Sequence, residues 1–145
     1  MDTNLNVIQY VYKNANMGAD SISNLIRAIE NKDNKIKDLL EDMLKEYESF
    51  ADKAKDLLKM HNLDPKDLNA MTKTSAYMMI KMEMLRDNSD SHVADMLLKG
   101  STMGIVEIEK QIKAYEGKCD KKVINLAKEL LEHEKKNVEK VKEYL

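Results

Sequence analysis

Glu134 is the residue of this chain whose type and spacing most directly suggest chemistry. It falls in a row of apolar residues that recur every three or four positions, so its carboxylate is predicted to lie inside a helical core. A buried carboxylate is unfavourable unless it binds a cation or accepts a hydrogen bond. One interpretation is a relic of a metal site or a contact with a bound ligand. The other is structural, either a hydrogen bond from a tyrosine hydroxyl or a helix rotated enough for Glu134 to reach solvent. The structural interpretation is favoured because a lone carboxylate binds transition metals weakly. The predicted polar cluster at the centre consists of Tyr12, Tyr47, Ser101 and Glu134.

Three methionines on a predicted crossover helix form a second candidate site. Met78 and Met82 share one helical face, and Met79 lies three residues before Met82. Thioether sulfurs at this spacing are suitable ligands for Cu(I), and a methionine-rich face can also bind a protein partner. Apolar residues surround most of this helix, which favours a third interpretation, packing against the core or a second subunit.

The three histidines and the single cysteine do not follow a metal-site pattern. No two of His61, His92 and His133 share a helical face at ligand spacing, and His133 is predicted to pair at the surface with Glu129. Cys119 is predicted to be exposed in a turn, where oxidation could cross-link two chains. No catalytic residue and no cofactor are predicted, which favours a protein that is not an enzyme.

Four long helices are predicted to position these residues. The chain has four glycines and one proline, too few turn formers for a many-stranded β-fold. Apolar stripes and capping signals predict helices over residues 4–31, 33–61, 90–116 and 120–145, and a crossover helix over 65–87. Asp33 and Asp120 are predicted N-caps, and Gly117 is predicted to be left-handed. The predicted core stripe of the first helix is Leu5, Ile8, Tyr12, Ala15, Ala19, Ile22, Ile26 and Ile29.

These elements predict an all-α, up-down four-helix bundle formed by one domain over residues 1–145. An ungapped internal repeat supports two similar hairpins, because residues 16–30 align with residues 102–116 at six identities in fifteen positions. Amphipathic helices share apolar positions automatically, but the Met-Gly pair at 17–18 and 103–104 is not required by amphipathicity. If one residue is inserted in the turn of the second hairpin, the alignment of the two halves continues, and Tyr47 aligns with Glu134.

A resemblance to known proteins is carried by residues 46–58, Glu-Tyr-Glu-Ser-Phe-Ala-Asp-Lys-Ala-Lys-Asp-Leu-Leu, and by residues 99–102, Lys-Gly-Ser-Thr. These segments are similar to a bacterial family of uncharacterised ferritin-like proteins, the domain of unknown function 2383. The resemblance implies a bundle of two hairpins joined by a crossover. It also implies a central dinuclear metal site, in which two helices each supply a Glu and the other two each supply Glu-x-x-His.

This chain lacks most of that ligand set. Glu134 has Asn137 and not His at the third position after it, and the family's Gly-Glu on the 90–116 helix is replaced by Gly100-Ser101. The other inward residues at mid-height are Ala15, Ala19, Tyr47, Phe50, Ser101 and Ile105. The sequence therefore predicts that a complete dinuclear site has been lost.

The charge balance argues against several classes of partner. Twenty-four basic and 26 acidic residues give a net charge of −2, so no overall basic field attracts nucleic acid or an anionic membrane. No apolar run is long enough for a membrane span, and one cysteine favours a reducing compartment, so a cytoplasmic protein is expected.

The predicted function is that of a non-catalytic ferritin-like bundle acting as a structural or protein-interaction module. The expected partner is a second copy, in a homodimer or another homo-oligomer, or an unidentified protein. One alternative is a ferritin-like protein that binds iron, manganese or zinc through Glu134 and non-standard ligands. The other is a protein that uses its methionine-rich helix to bind a partner or copper.

Overall fold

A computed structural model describes residues 2–63 and 88–145, and all the regular structure in these ranges is α-helical. The helices are α1 (Thr3–Ala28), α2 (Lys37–Met60), α3 (Asp90–Tyr115) and α4 (Lys121–Lys142). Within these ranges the prediction of an all-α four-helix bundle is confirmed. The predicted crossover helix over 65–87, with Met78, Met79 and Met82, lies outside the described residues. None of the described helices combines the length and apolarity needed to cross a lipid bilayer.

Contacts at the two ends of the bundle establish the direction of each helix. At one end, Asn4 accepts a hydrogen bond from the backbone N–H of Asp120 at 2.8 Å, and His61 at the end of α2 lies 3.4 Å from the Asp120 carboxylate. At the other end, Asp90 at the start of α3 accepts a hydrogen bond from the backbone N–H of Lys35 at 3.0 Å. Helices α1 and α4 therefore run in one direction, and α2 and α3 run in the other. The chain leaves α2 at one end of the bundle and enters α3 at the opposite end.

The helices form two hairpins that pack against each other. Helix α1 packs along α2, and α3 packs along α4. Helix α4 also contacts α1 and α2, whereas α2 and α3 do not approach each other within the described ranges. Because α4 contacts all three other helices, a core-facing residue at its mid-point lies at the centre of the bundle.

Two apolar clusters fill the interior, one toward each end of the bundle. The first extends along α1 to Ala15 and along α4 to Leu130. The second begins on α1 at Ile22 and includes Val141 of α4. The middle layer between them contains the buried polar residues of the described chain, which are Ser101, Glu134 and Asn137. The polar residues therefore occupy one level of the bundle and are enclosed by apolar residues above and below.

The predicted core stripe of α1 is partly wrong. Val7, Val11 and Leu25 are fully buried although the prediction omitted them. The predicted stripe members that are only partly buried are Leu5, Tyr12, Ala19 and Ile26. The row that faces the core passes through Gly18, whose missing side chain interrupts the apolar pattern, whereas the predicted stripe passes through Ala19.

Two of the predicted helix caps are also wrong. Asp33 is exposed, and α2 begins at Lys37 without a side-chain cap. Asp90 of α3 instead accepts hydrogen bonds from backbone N–H groups at this helix start, so a tertiary contact replaces the local one. Asp120 precedes α4, but its side chain makes no capping hydrogen bond and pairs with His61. The left-handed Gly117 is confirmed, with a φ of +82°.

Candidate functional site

Glu134 lies in the middle layer of the bundle with only 3% of its surface exposed. Tyr47 of α2 donates a hydrogen bond from its hydroxyl to Glu134 Oε1 at 2.6 Å. The other carboxylate oxygen, Oε2, is buried and has no hydrogen-bond partner among the described residues. The carboxyl group is therefore held at one oxygen by a tyrosine and surrounded elsewhere by core residues.

Burial controls the ionisation of this cluster. It raises the pKa of Glu134, and this effect outweighs the hydroxyls of Tyr47 and Ser101, which lower the pKa by stabilising the carboxylate. Burial also raises the pKa of Tyr47 well above 10.0, and the neighbouring Glu134 charge adds to that shift. Tyr47 therefore keeps its proton and acts as the hydrogen-bond donor. Near neutral pH, a phenol that keeps its proton donates a hydrogen bond and does not act as a general base.

A second carboxylate lies beside the buried pair. Glu46 Oε2 accepts a hydrogen bond from the Asn137 amide at 3.2 Å and lies 3.3 Å from His133 Nδ1. The predicted surface pair of His133 with Glu129 is wrong, because each of these side chains pairs with a residue of α2 instead. His133 pairs with Glu46, and Glu129 pairs with Lys53. Glu46 is thus engaged by two α4 side chains.

Gly18 of α1 positions the tyrosine. A Cβ atom at Gly18 would lie 2.7 Å from carbon atoms of the Tyr47 ring, so the ring rests directly on the α1 backbone. No residue other than glycine leaves this space. At the equivalent position in the internal repeat, a Cβ atom on Gly104 would meet nothing within 4 Å. The Met-Gly repeat was the sequence signal for this residue, although it indicated duplication and not the packing role.

The structure brings together three of the four predicted cluster members, Tyr47, Ser101 and Glu134. Tyr12 is not among them, because it packs half-buried against the first apolar cluster, with the Lys55 ammonium 6.0 Å from its ring centre. Burial raises the pKa of another α1 tyrosine, Tyr10, to about 12, and the Glu134 charge adds a smaller contribution to this shift. Sequence reasoning missed Tyr10 because its ring is only partly buried and lies outside the predicted stripe.

Cys119 is not exposed as predicted. The side chain is half-buried and packs against the first apolar cluster. Burial, together with the nearby Asp120 carboxylate, raises the pKa of the thiol, so the lysines nearby in sequence do not activate it.

Replacing Glu134 with Gln is expected to remove a pH dependence of stability. The folded-state pKa of Glu134 is above the ordinary value of 4.5, so the folded protein binds more protons than the unfolded chain between those two pKa values. The stabilisation from Glu134 is complete below the unfolded pKa and decreases as the pH rises through the folded pKa. Chemical denaturation of the wild type and Glu134→Gln from about pH 4 to pH 8 measures this.

We expect the Gln variant to gain stability relative to the wild type as the pH rises through this window. The variant Glu132→Gln, at an exposed position of the same helix, controls for the change in net charge. A difference between wild type and Glu134→Gln that does not change with pH, or that increasingly favours the wild type, would contradict the assignment.

Across the described part of the chain, no group of three or more His, Cys, Asp or Glu side chains is arranged to hold a metal ion. The central arrangement is therefore one buried tyrosine–glutamate hydrogen bond, positioned by Gly18 and flanked by the Glu46 contacts. Comparison of the chain with protein-family models, curated proteins and solved structures finds no match.

Proposed function

We propose that this chain is a non-catalytic, ferritin-like bundle that acts as a structural or protein-interaction module, with a hydrogen-bonded centre in place of a dinuclear metal site. The observation that carries the proposal is the 2.6 Å hydrogen bond from Tyr47 to Glu134. In a dinuclear site a second carboxylate and metal ions would occupy this level of the bundle. Here a neutral phenol lies against the single carboxylate that is fully buried in the described core.

The helix directions support the ferritin-like part of the proposal. Two antiparallel hairpins, with a connection between opposite ends of the bundle, have the connectivity of the ferritin-like class. The proposed duplication fits the same scheme. Tyr47 and Glu134 are equivalent in the extended repeat, and equivalent residues meet when they lie near a twofold axis.

The residues at this level argue against redox chemistry of the ferritin type. Helix α1 offers Ala15 and Gly18, and α3 offers Ser101, so neither helix supplies a carboxylate there. Iron and manganese sites of this class require several anionic oxygen ligands. The remaining carboxylate near the centre, Glu46, already pairs with His133 and bonds to Asn137.

A second candidate function, a metal-binding protein that uses Glu134, is favoured by one observation. Glu134 Oε2 has no hydrogen-bond partner in residues 2–63 and 88–145, and a carboxylate oxygen without a partner is a potential ligand. Metal analysis of protein purified without chelators separates the two functions. The proposed module contains no iron, manganese or zinc that depends on Glu134, whereas the metal-binding alternative requires it.

A further inference from the structure

The middle of α3 carries an exposed apolar patch. Met103 is 64% exposed and Val106, one turn further on, is 46% exposed. Met60 and Leu145 are comparably exposed, but they lie at the end of α2 and the end of the chain. We use "the α3 face" for this patch and its exposed neighbours, which are Lys99, Gly100, Met103, Val106, Glu107 and Lys110.

Two glycines make the α3 face accessible to another helix. Gly100 lies on the face and Gly104 lies at its edge, and a Cβ atom at either position would meet nothing within 4 Å. The equivalent glycine of α1, Gly18, is covered by the Tyr47 ring. In the repeat, the residue of α4 that corresponds to Tyr47 is Glu134. Its side chain accepts a hydrogen bond from Tyr47 and does not cover Gly104. Among residues 2–63 and 88–145, the α3 face thus has no neighbour like the Tyr47 ring that covers its counterpart on α1.

The charges on this face are arranged symmetrically about Met103. Lys99 precedes Met103 by four residues, and Glu107 follows it by four. If two copies of α3 pack antiparallel about a twofold axis at Met103, Lys99 and Gly100 of one copy lie level with Val106 and Glu107 of the other. Opposite charges then meet twice, and the missing side chain at Gly100 leaves space for apolar groups of the second copy.

We propose that the α3 face binds a second copy of this chain in an antiparallel, twofold-symmetric contact. The inference rests on the proposed interaction role and names the surface that performs it. The present partners of the two charged residues do not oppose the contact. Lys99 pairs with Asp95 at 3.0 Å and Glu107 pairs with Lys110 at 3.4 Å, and exposed pairs of this kind contribute little stability.

The expected dimer dissociates on dilution. Stable interfaces bury about 800 Å² on each partner, and a contact through the middle of one helix is smaller than that. Sedimentation equilibrium over a concentration series should therefore show a reversible monomer–dimer equilibrium for the wild type.

Met103→Glu tests the axis, because the variant brings two carboxylates together at the twofold. We expect the dimer dissociation constant to rise about tenfold or more. The circular dichroism spectrum and Tm should stay unchanged, because Met103 is exposed in the monomer. Met60→Glu is the matched control, with a similarly exposed methionine on another helix, and it should leave the dissociation constant unchanged.

A charge exchange tests the register of the contact. Lys99→Glu and Glu107→Lys should each weaken the dimer, because each change brings like charges together. The double variant should restore dimerisation, because it reverses both pairs.

Two results would overturn the inference. The first is a wild type that stays monomeric throughout the series, and the second is a dimer that Met103→Glu and Met60→Glu affect equally. If the wild type is monomeric, a lower Tm in Met103→Glu would indicate that this face is covered within a single chain. None of these results changes the metal content, so failure of the dimer contact is distinguishable from failure of the proposed bundle centre.

Discussion

Tyr47→Phe is expected to lower the free energy of unfolding at neutral pH by about 2 kcal/mol, since it removes the hydrogen bond that the buried Glu134 carboxyl group accepts at Oε1. The ring volume is retained, so packing against Gly18 is unchanged and the loss reports on the hydroxyl alone. Urea denaturation monitored by circular dichroism measures the difference.

Two controls isolate this hydrogen bond. Tyr12→Phe removes a tyrosine hydroxyl elsewhere on the bundle and should change stability by less than about 0.5 kcal/mol. In a Glu134→Met background, Tyr47→Phe should have little effect, because both polar partners are then replaced by apolar groups. An equal loss in both backgrounds would show that Tyr47 stabilises the fold without the carboxylate.

Gly18→Ala is expected to destabilise the protein by about 2 kcal/mol, although alanine is ordinarily the better helix former by about 1 kcal/mol. The new Cβ atom would lie 2.7 Å from the Tyr47 ring. The ring is buried and its hydroxyl is bonded to Glu134, so it cannot move away without breaking that hydrogen bond. A decrease in Tm of roughly 4–8 °C is expected.

Gly104→Ala is the matched control, because it occupies the equivalent position of the repeat and its Cβ atom meets nothing within 4 Å. There the helix propensity of alanine is unopposed, and we expect stability to rise by about 0.5–1 kcal/mol. Two alanine variants of the same sign would contradict the close contact of Gly18 with Tyr47.

The positions of the helices were predictable because the apolar period extends over more than twenty residues in each one. Such a long pattern is decided by burial and tolerates local irregularity. The start of α2 was not predictable in the same way. Asp33 looked like a local cap, but the acceptor is Asp90, which lies far away in sequence. A hydrogen bond from a distant element to a helix start forms only in the folded chain, so the residues next to that helix start do not indicate it.

Three of the four predicted members of the centre were correct, and its contacts were less predictable. Tyr47, Ser101 and Glu134 were identified because each falls in the apolar row of its own helix. The partners of His133 were missed, because the choice between Glu129 on the same helix and Glu46 on α2 depends on how the two helices are rotated. Gly18 was missed as a contact residue since a residue without a side chain adds nothing to an apolar pattern.

We propose that a tyrosine–glutamate hydrogen bond replaces a metal site at the middle of this bundle. The most direct test is elemental analysis of wild type and Glu134→Ala, both purified without chelators, with circular dichroism to confirm that the variant is folded. We expect that neither protein contains iron, manganese or zinc in stoichiometric amount. Stoichiometric metal in the wild type that is lost in Glu134→Ala would contradict it.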